Sequence, residues 1–100
     1  MLPKVMREGD TGTGICNIHG VVSITLTKAN QSTVYANGKL VCVIGSEGVG
    51  SCGDHIVATT GSPNVFIEGK AVHRVTDTGI FDIVGGTFTS EHGSPNVTAN

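Results

Sequence analysis

The chain has no tryptophan, one tyrosine and three phenylalanines in 100 residues. Its core must therefore rest mainly on Val and Ile. A chain of this length makes one domain, residues 1–100, and a domain this small buries only a modest fraction of its surface. Such cores often draw on a metal, disulfides or a partner for added constraint. Charge is sparse too, at 14% of residues with a net of −2. The basic residues Lys4, Arg7, Lys28, Lys39, Lys70 and Arg74 are scattered. Nucleic-acid binding needs them concentrated, so no nucleic-acid partner is expected. No apolar run approaches the roughly 18 residues that span a bilayer. No apolar h-region follows the first charges, so the start does not read as a signal peptide. Folding is expected in a cytoplasm, with the three cysteines reduced. Their odd number also fits poorly with a disulfide framework.

What the chain has is glycine, β-branched residues and repetition. Gly stands at 15 of 100 positions, about twice the average of roughly 7%. Abundant Val, Ile and Thr favour strands. Gly-Ser-Pro-Asn-Val occurs at Gly61–Val65 and again at Gly93–Val97. Val34–Ile44 aligns with Val65–Val75, with the Val, Gly and Lys positions coinciding, and the match runs on to Gly48 and Gly79. The N-terminus supplies half a unit, Lys4–Gly12, which lies over Ala71–Gly79.

Each unit reads as a hairpin. Asn37-Gly38 and Glu68-Gly69 sit between short β-branched or aromatic runs. Asn-Gly is the strongest short hairpin signal, because a type I′ turn needs positive φ at both central residues. Three Gly-rich loops are expected at 10–20, 46–55 and 77–86, followed by return strands at 21–26, 56–60 and 86–90. One unit cannot bury its apolar face alone, whereas three around an axis share a core. The expected fold is an all-β small cone of three β-hairpin repeats with pseudo-threefold symmetry and its loops at one end. An ordinary β-sandwich is the alternative.

Two of the loops carry the same short pattern, Cys16-Asn17-Ile18-His19 and Cys52-Gly53-Asp54-His55. Cys-x-x-His lets a thiolate and an imidazole reach one ion from a single turn. Chance would give about 0.1 such pairs in this composition. A structural Zn²⁺ takes four N or S ligands, and two such units fill that tetrahedron if the loops meet. His73 is a further candidate ligand, at the position held by Cys42 in the second repeat and Met6 in the half-unit. The third loop has no Cys or His, so it contributes through His73 or Asp82 if at all. Cys42 reads as plain core and His92 as an exposed turn residue. Catalytic residues are not expected. Asp54 and Asp82 could serve a hydrolytic zinc as bases, but a small cone offers little room for the concave pocket a substrate needs. No Gly-x-Ser-x-Gly elbow is present. Gly12–Asn17 lacks the following helix of a phosphate loop.

Arg7-Glu8-Gly9-Asp10, then His19-Gly20, then Glu68-Gly69-Lys70-Ala71-Val72-His73-Arg74-Val75-Thr76-Asp77, with the repeated Gly-Ser-Pro-Asn-Val, resembles the PAAR-repeat proteins over nearly the whole chain. The resemblance implies a cone that caps the blunt end of a trimeric β-helical spike, in contractile phage tails or type VI secretion machines. It implies one metal per chain near the vertex, zinc or, as second choice, iron. His19 and His55 correspond to the histidines of the family's first two vertex loops. Two features depart from the family. Pro-Ala-Ala-Arg has become Ala71-Val72-His73-Arg74, and the late Cys-Gly is absent after Asp77. The missing ligands then come from Cys16, Cys52 or His73. The implied partners are a trimeric spike, one chain per trimer, and transiently a target-cell membrane, with no small-molecule substrate. The implied place is the spike tip of a phage tail baseplate, or a bacterial cytoplasm followed by type VI export. With the chain ending at Asn100, no toxin domain is expected. The rival readings are a zinc-stapled β module for another protein partner and, behind it, a small zinc hydrolase.

Overall fold

The computed structural model describes residues 2–100 and contains strands and no helix among them. Three hairpins dominate. The first joins β1 (Thr11–Cys16) to β2 (Gly20–Lys28). Two two-residue strands follow, β3 (Tyr35–Ala36) and β4 (Lys39–Leu40). The second main hairpin joins β5 (Glu47–Gly50) to β6 (His55–Ala58). Next come the short β7 (Phe66–Ile67) and β8 (Lys70–Ala71). The third main hairpin joins β9 (Thr78–Ile80) to β10 (Gly86–His92).

The three main hairpins close an antiparallel barrel in the order β1-β10-β9-β6-β5-β2. Each therefore pairs with both others, through β2–β5, β6–β9 and β10–β1. Closure leaves no strand edge in the barrel free to pair with another chain. The molecular extents of 34 × 24 × 24 Å, with two equal short axes, suit a threefold body. This is the expected all-β cone of three hairpin repeats with pseudo-threefold symmetry, and not a sandwich.

The small hairpins turn as their sequences require. Asn37 and Gly38 have φ of 55° and 79°, and Glu68 and Gly69 have 52° and 79°. The third equivalent place is filled by the two ends of the chain. Lys4 bridges Thr98, and the Ala99 amide donates to the Pro3 carbonyl at 3.0 Å.

Below the barrel, threefold order runs through the backbone itself. The Met6 amide donates to the His73 carbonyl, His73 to Cys42, and Cys42 to Met6, at 2.9, 2.9 and 2.8 Å. These are the three positions that the repeat alignment superposes. All three side chains have zero exposure. Met6 and Cys42 pack with the barrel core, and a separate apolar cluster forms the base, with Val5, Val41 and Val72 at one equivalent position and Ala36, Ile67 and Ala99 at another. Turns tie this base to the barrel. Asp10 accepts from the Arg7 amide and Asp77 from the Arg74 amide, each at 2.8 Å. In the second repeat Ser46 Oγ accepts from the Val43 amide at the same distance.

The segments expected as loops at 10–20, 46–55 and 77–86 begin instead as strands β1, β5 and β9. Their glycines point into the barrel, where Phe81 and Phe88 fill the core with Ile24, Leu26 and Ile56. A β-carbon on Gly14 would lie 2.8 Å from the Phe81 ring, and one on Gly79 would run into Phe88. In so narrow a barrel, glycine on one strand makes room for the aromatic ring of another. The same glycines read as loop signals in the sequence.

Candidate metal centre

The three barrel hairpins turn at the end opposite the small hairpins, and their loops touch. Cys16 is the last inward position of β1, buried at the mouth of the barrel. The turn after it brings His19 back over Cys16, with Sγ and Nδ1 3.7 Å apart. The loop between β5 and β6 turns through Gly53, at φ 90°, and delivers Cys52 and Asp54 from the neighbouring hairpin.

The four side chains converge on one carboxylate oxygen. Asp54 Oδ2 lies 3.0 Å from Cys16 Sγ, 3.0 Å from Cys52 Sγ and 2.8 Å from His19 Nδ1. One ligand atom from each residue lies within 4.8 Å of all the others. Hydrogen bonds from Cys52, from Cys16 and from His19 hold the Asp54 carboxyl below its usual range. The bond to Asp54 in turn pushes the Cys52 thiol up. Both shifts describe thiols donating to a carboxylate.

Two sulfurs, one imidazole nitrogen and one carboxylate oxygen make a donor set that suits a borderline-soft divalent ion. With bonds of about 2.0–2.3 Å, a tetrahedral site has ligand–ligand edges of roughly 3.3–3.8 Å. The sulfur–imidazole edge already falls there. The edges to Asp54 are shorter, so seating an ion requires its carboxylate to withdraw by about half an ångström. The Cys₂HisAsp cluster can hold a metal ion.

Not every candidate from the sequence joins this cluster. Cys16, His19 and Cys52 do. His55 faces the other way, with Nδ1 2.7 Å from Asp82 and Nε2 2.8 Å from Glu47. A carboxylate faces each ring nitrogen, and the hydrogen bonds to Asp82 first, then Glu47, raise the imidazole pKa above its usual value. His55 thereby clamps the second hairpin to the third loop. A third link completes the circuit, as the Asn17 amide donates to Gly85 at 3.0 Å.

His73 lies in the buried base ring, apart from the cluster. Its Nδ1 donates to the Thr60 carbonyl and its Nε2 accepts from the Ser90 hydroxyl, both at 2.7 Å. Burial lowers its pKa and keeps the ring neutral. Its ring meets Phe88 edge-on at 6.2 Å. Cys42, in the same ring, has its thiol pushed up to about 12 by burial. His92 is exposed at the end of β10.

The fourth donor is therefore Asp54, which a Cys-x-x-His reading passes over. The signal was present, since Asp54 shares a four-residue turn with Cys52. Only the docking of two loops decides which of the adjacent pair Asp54 and His55 faces the sulfurs. Comparison with protein-family models and with curated proteins finds no match for the chain.

Proposed function

We propose that this protein is a spike tip, the pointed cap of a trimeric β-helical spike in a contractile phage tail or type VI machine, as its resemblance to the PAAR-repeat proteins implies. The observation that carries the reading is an apolar ring at the base. Val34, Val65 and Val97 hold one equivalent position and are 40%, 36% and 37% exposed. Beside them Tyr35 and Phe66 are 61% and 57% exposed. A monomer gains nothing from solvating the same apolar face on successive repeats. A pseudo-threefold chain can lay three such patches on the threefold end of one trimer. Contact would remove them from water and cover the strand ends of the trimer. The function needs no active site, and none is assigned.

At the other end we infer one zinc per chain, with iron as second choice, held by Cys16, His19, Cys52 and Asp54. Few residues can be buried at a vertex, so bonds to an ion supply the cohesion that a core would give, and binding energy adds to folding energy. The chain's own groups would prepare the site. Cys16 fixes one sulfur on a rigid strand, and Asp54 orders the second sulfur and the imidazole before an ion arrives.

The test is assembly with trimeric β-helical spike proteins, read by native mass. One chain per trimer is expected, with Phe66→Asp weakening the complex at least tenfold. A chain that stays monomeric beside every trimer offered, or three chains bound per trimer, would sink the reading.

A further inference from the structure

We propose that Cys16 and Cys52 form a redox-closable pair, joined as a disulfide by a small-molecule disulfide oxidant such as oxidised glutathione when no metal holds them. The inference goes beyond the spike-tip reading and does not depend on it.

Three observations carry it. The two sulfurs come from different hairpins, yet each lies 3.0 Å from the same oxygen of Asp54 and they are within 4.8 Å of one another. A disulfide needs about 2.05 Å between sulfurs, and a swing between staggered rotamers carries a Cys Sγ by roughly 3 Å. Closure therefore needs side-chain rotation and withdrawal of Asp54, which precedes β6 and follows Gly53 in the turn. The sulfurs also differ in access. Cys52 is partly exposed, whereas Cys16 is 1% exposed. Cys42 has zero exposure and stands outside the cluster of ligand atoms that holds the other two.

This asymmetry sets the order of events. The Cys52 thiolate attacks one sulfur of oxidised glutathione, forming a mixed disulfide and releasing one glutathione thiolate. The Cys16 thiolate then attacks Cys52 Sγ and releases the second. Both thiol protons end on the two glutathiones, so the protein is oxidised by two electrons and the glutathione disulfide is reduced by two. Because the disulfide uses the sulfurs that an ion would use, closure and metal binding exclude each other. A closed bond would link two of the three tip loops covalently in place of the ion.

The experiment oxidises the folded chain, freed of metal by chelation, with oxidised glutathione. Remaining thiols are alkylated and the protein is mapped by mass spectrometry. Expected are loss of two of the three thiols, a mass decrease of about 2 Da before alkylation, and a peptide linking Cys16 to Cys52. Cys42→Ser should leave that link intact, and Cys52→Ser should abolish it. Prior loading with equimolar zinc should slow closure at least tenfold. Recovery of Cys16 and Cys52 as free thiols, as separate glutathione adducts or in links between chains would overturn the pair. Equal closure rates with and without zinc would overturn the exclusion. Metal content measured on the same samples separates either failure from a failure of the metal assignment itself.

Discussion

The base and the tip of this cone are held by different physics. In the base, equivalent positions carry equivalent roles, and three backbone hydrogen bonds close a ring whatever the side chains are. Met6, Cys42 and His73 share one environment although their chemistry differs. At the tip no two loops are alike. The first and second meet through sulfur, imidazole and carboxylate, the second and third through His55 between two acids, and the third and first through a backbone bond. Symmetry survives where burial is cheap, because packing cares about volume. It breaks where few atoms can be buried and side-chain chemistry must supply the cohesion.

The largest effect is expected where the two regions join. Phe88 fills the barrel and also meets His73 of the base ring. Phe88→Ala should lower stability by about 3–5 kcal/mol in urea unfolding, since little around it can collapse into the cavity. Ile83→Ala, at a tip residue that is 77% exposed, should change it by less than about 0.5 kcal/mol. Comparable losses at both positions would mean that the tip carries an apolar core of its own.

Next comes the metal. Free zinc at a thousand times its Kd should raise stability by about 4 kcal/mol, and a chelator should remove that gain. Asp54→Ala, His19→Ala and Cys52→Ser should abolish the response. His55→Ala and His73→Asn should keep it. A zinc response that survives Asp54→Ala but is lost with His55→Ala would put the second imidazole, and not the carboxylate, on the ion.

The two buried or clamped histidines should give opposite pH limbs. His73 has a depressed pKa in the fold, so its contribution is complete above the unfolded value of about 6.5 and is lost as pH falls toward the folded value. His55 has a raised pKa, so its contribution is complete below about 6.5 and is lost as pH rises through the folded value. The His55 side chain is 34% exposed, and solvent screening should hold its limb to under about 1 kcal/mol. Urea midpoints of the metal-free chain across pH 5–9 (roughly the range in which histidine titrates) read both. His73→Asn should flatten the acid limb and His55→Ala the alkaline one. An alkaline limb unchanged by His55→Ala would mean that the clamp does not hold in solution.

Much of the base was legible in the sequence, because repeats announce themselves through identical spacing. The superposition of Met6, Cys42 and His73 followed from alignment alone. The outgoing strands were not legible, because their glycines carry a loop signal when the reason for them is space: Gly14 and Gly50 make room for Phe81 and Gly79 for Phe88, whereas Gly12 and Gly48 lie against the backbone of the neighbouring strand. At the tip, the pairing of Cys16 and His19 with Cys52 was visible as a repeated motif. The choice between Asp54 and His55 was not. It depends on the twist of one turn and on Asp82 and Glu47 waiting on the other side.

The smallest effect is expected at Glu68, where the two small hairpins differ. Glu68 adopts φ 52° at a turn position that Asn tolerates better, as Asn37 does in the first hairpin. Its carboxylate offsets that strain. It accepts from the Ser32 amide at 3.1 Å and the Thr33 hydroxyl at 2.9 Å, and these two bonds, the amide first, lower its pKa. Glu68→Asn gains turn propensity and loses a link between the repeats, two opposed small effects, so Tm should move little. Glu68→Ala loses the link and keeps the unfavourable φ, so it should lower Tm by more than Glu68→Asn does. A clear rise in Tm with Glu68→Asn would show that the carboxylate adds nothing across the repeats, and that even in the base the hairpins stand by their own turns.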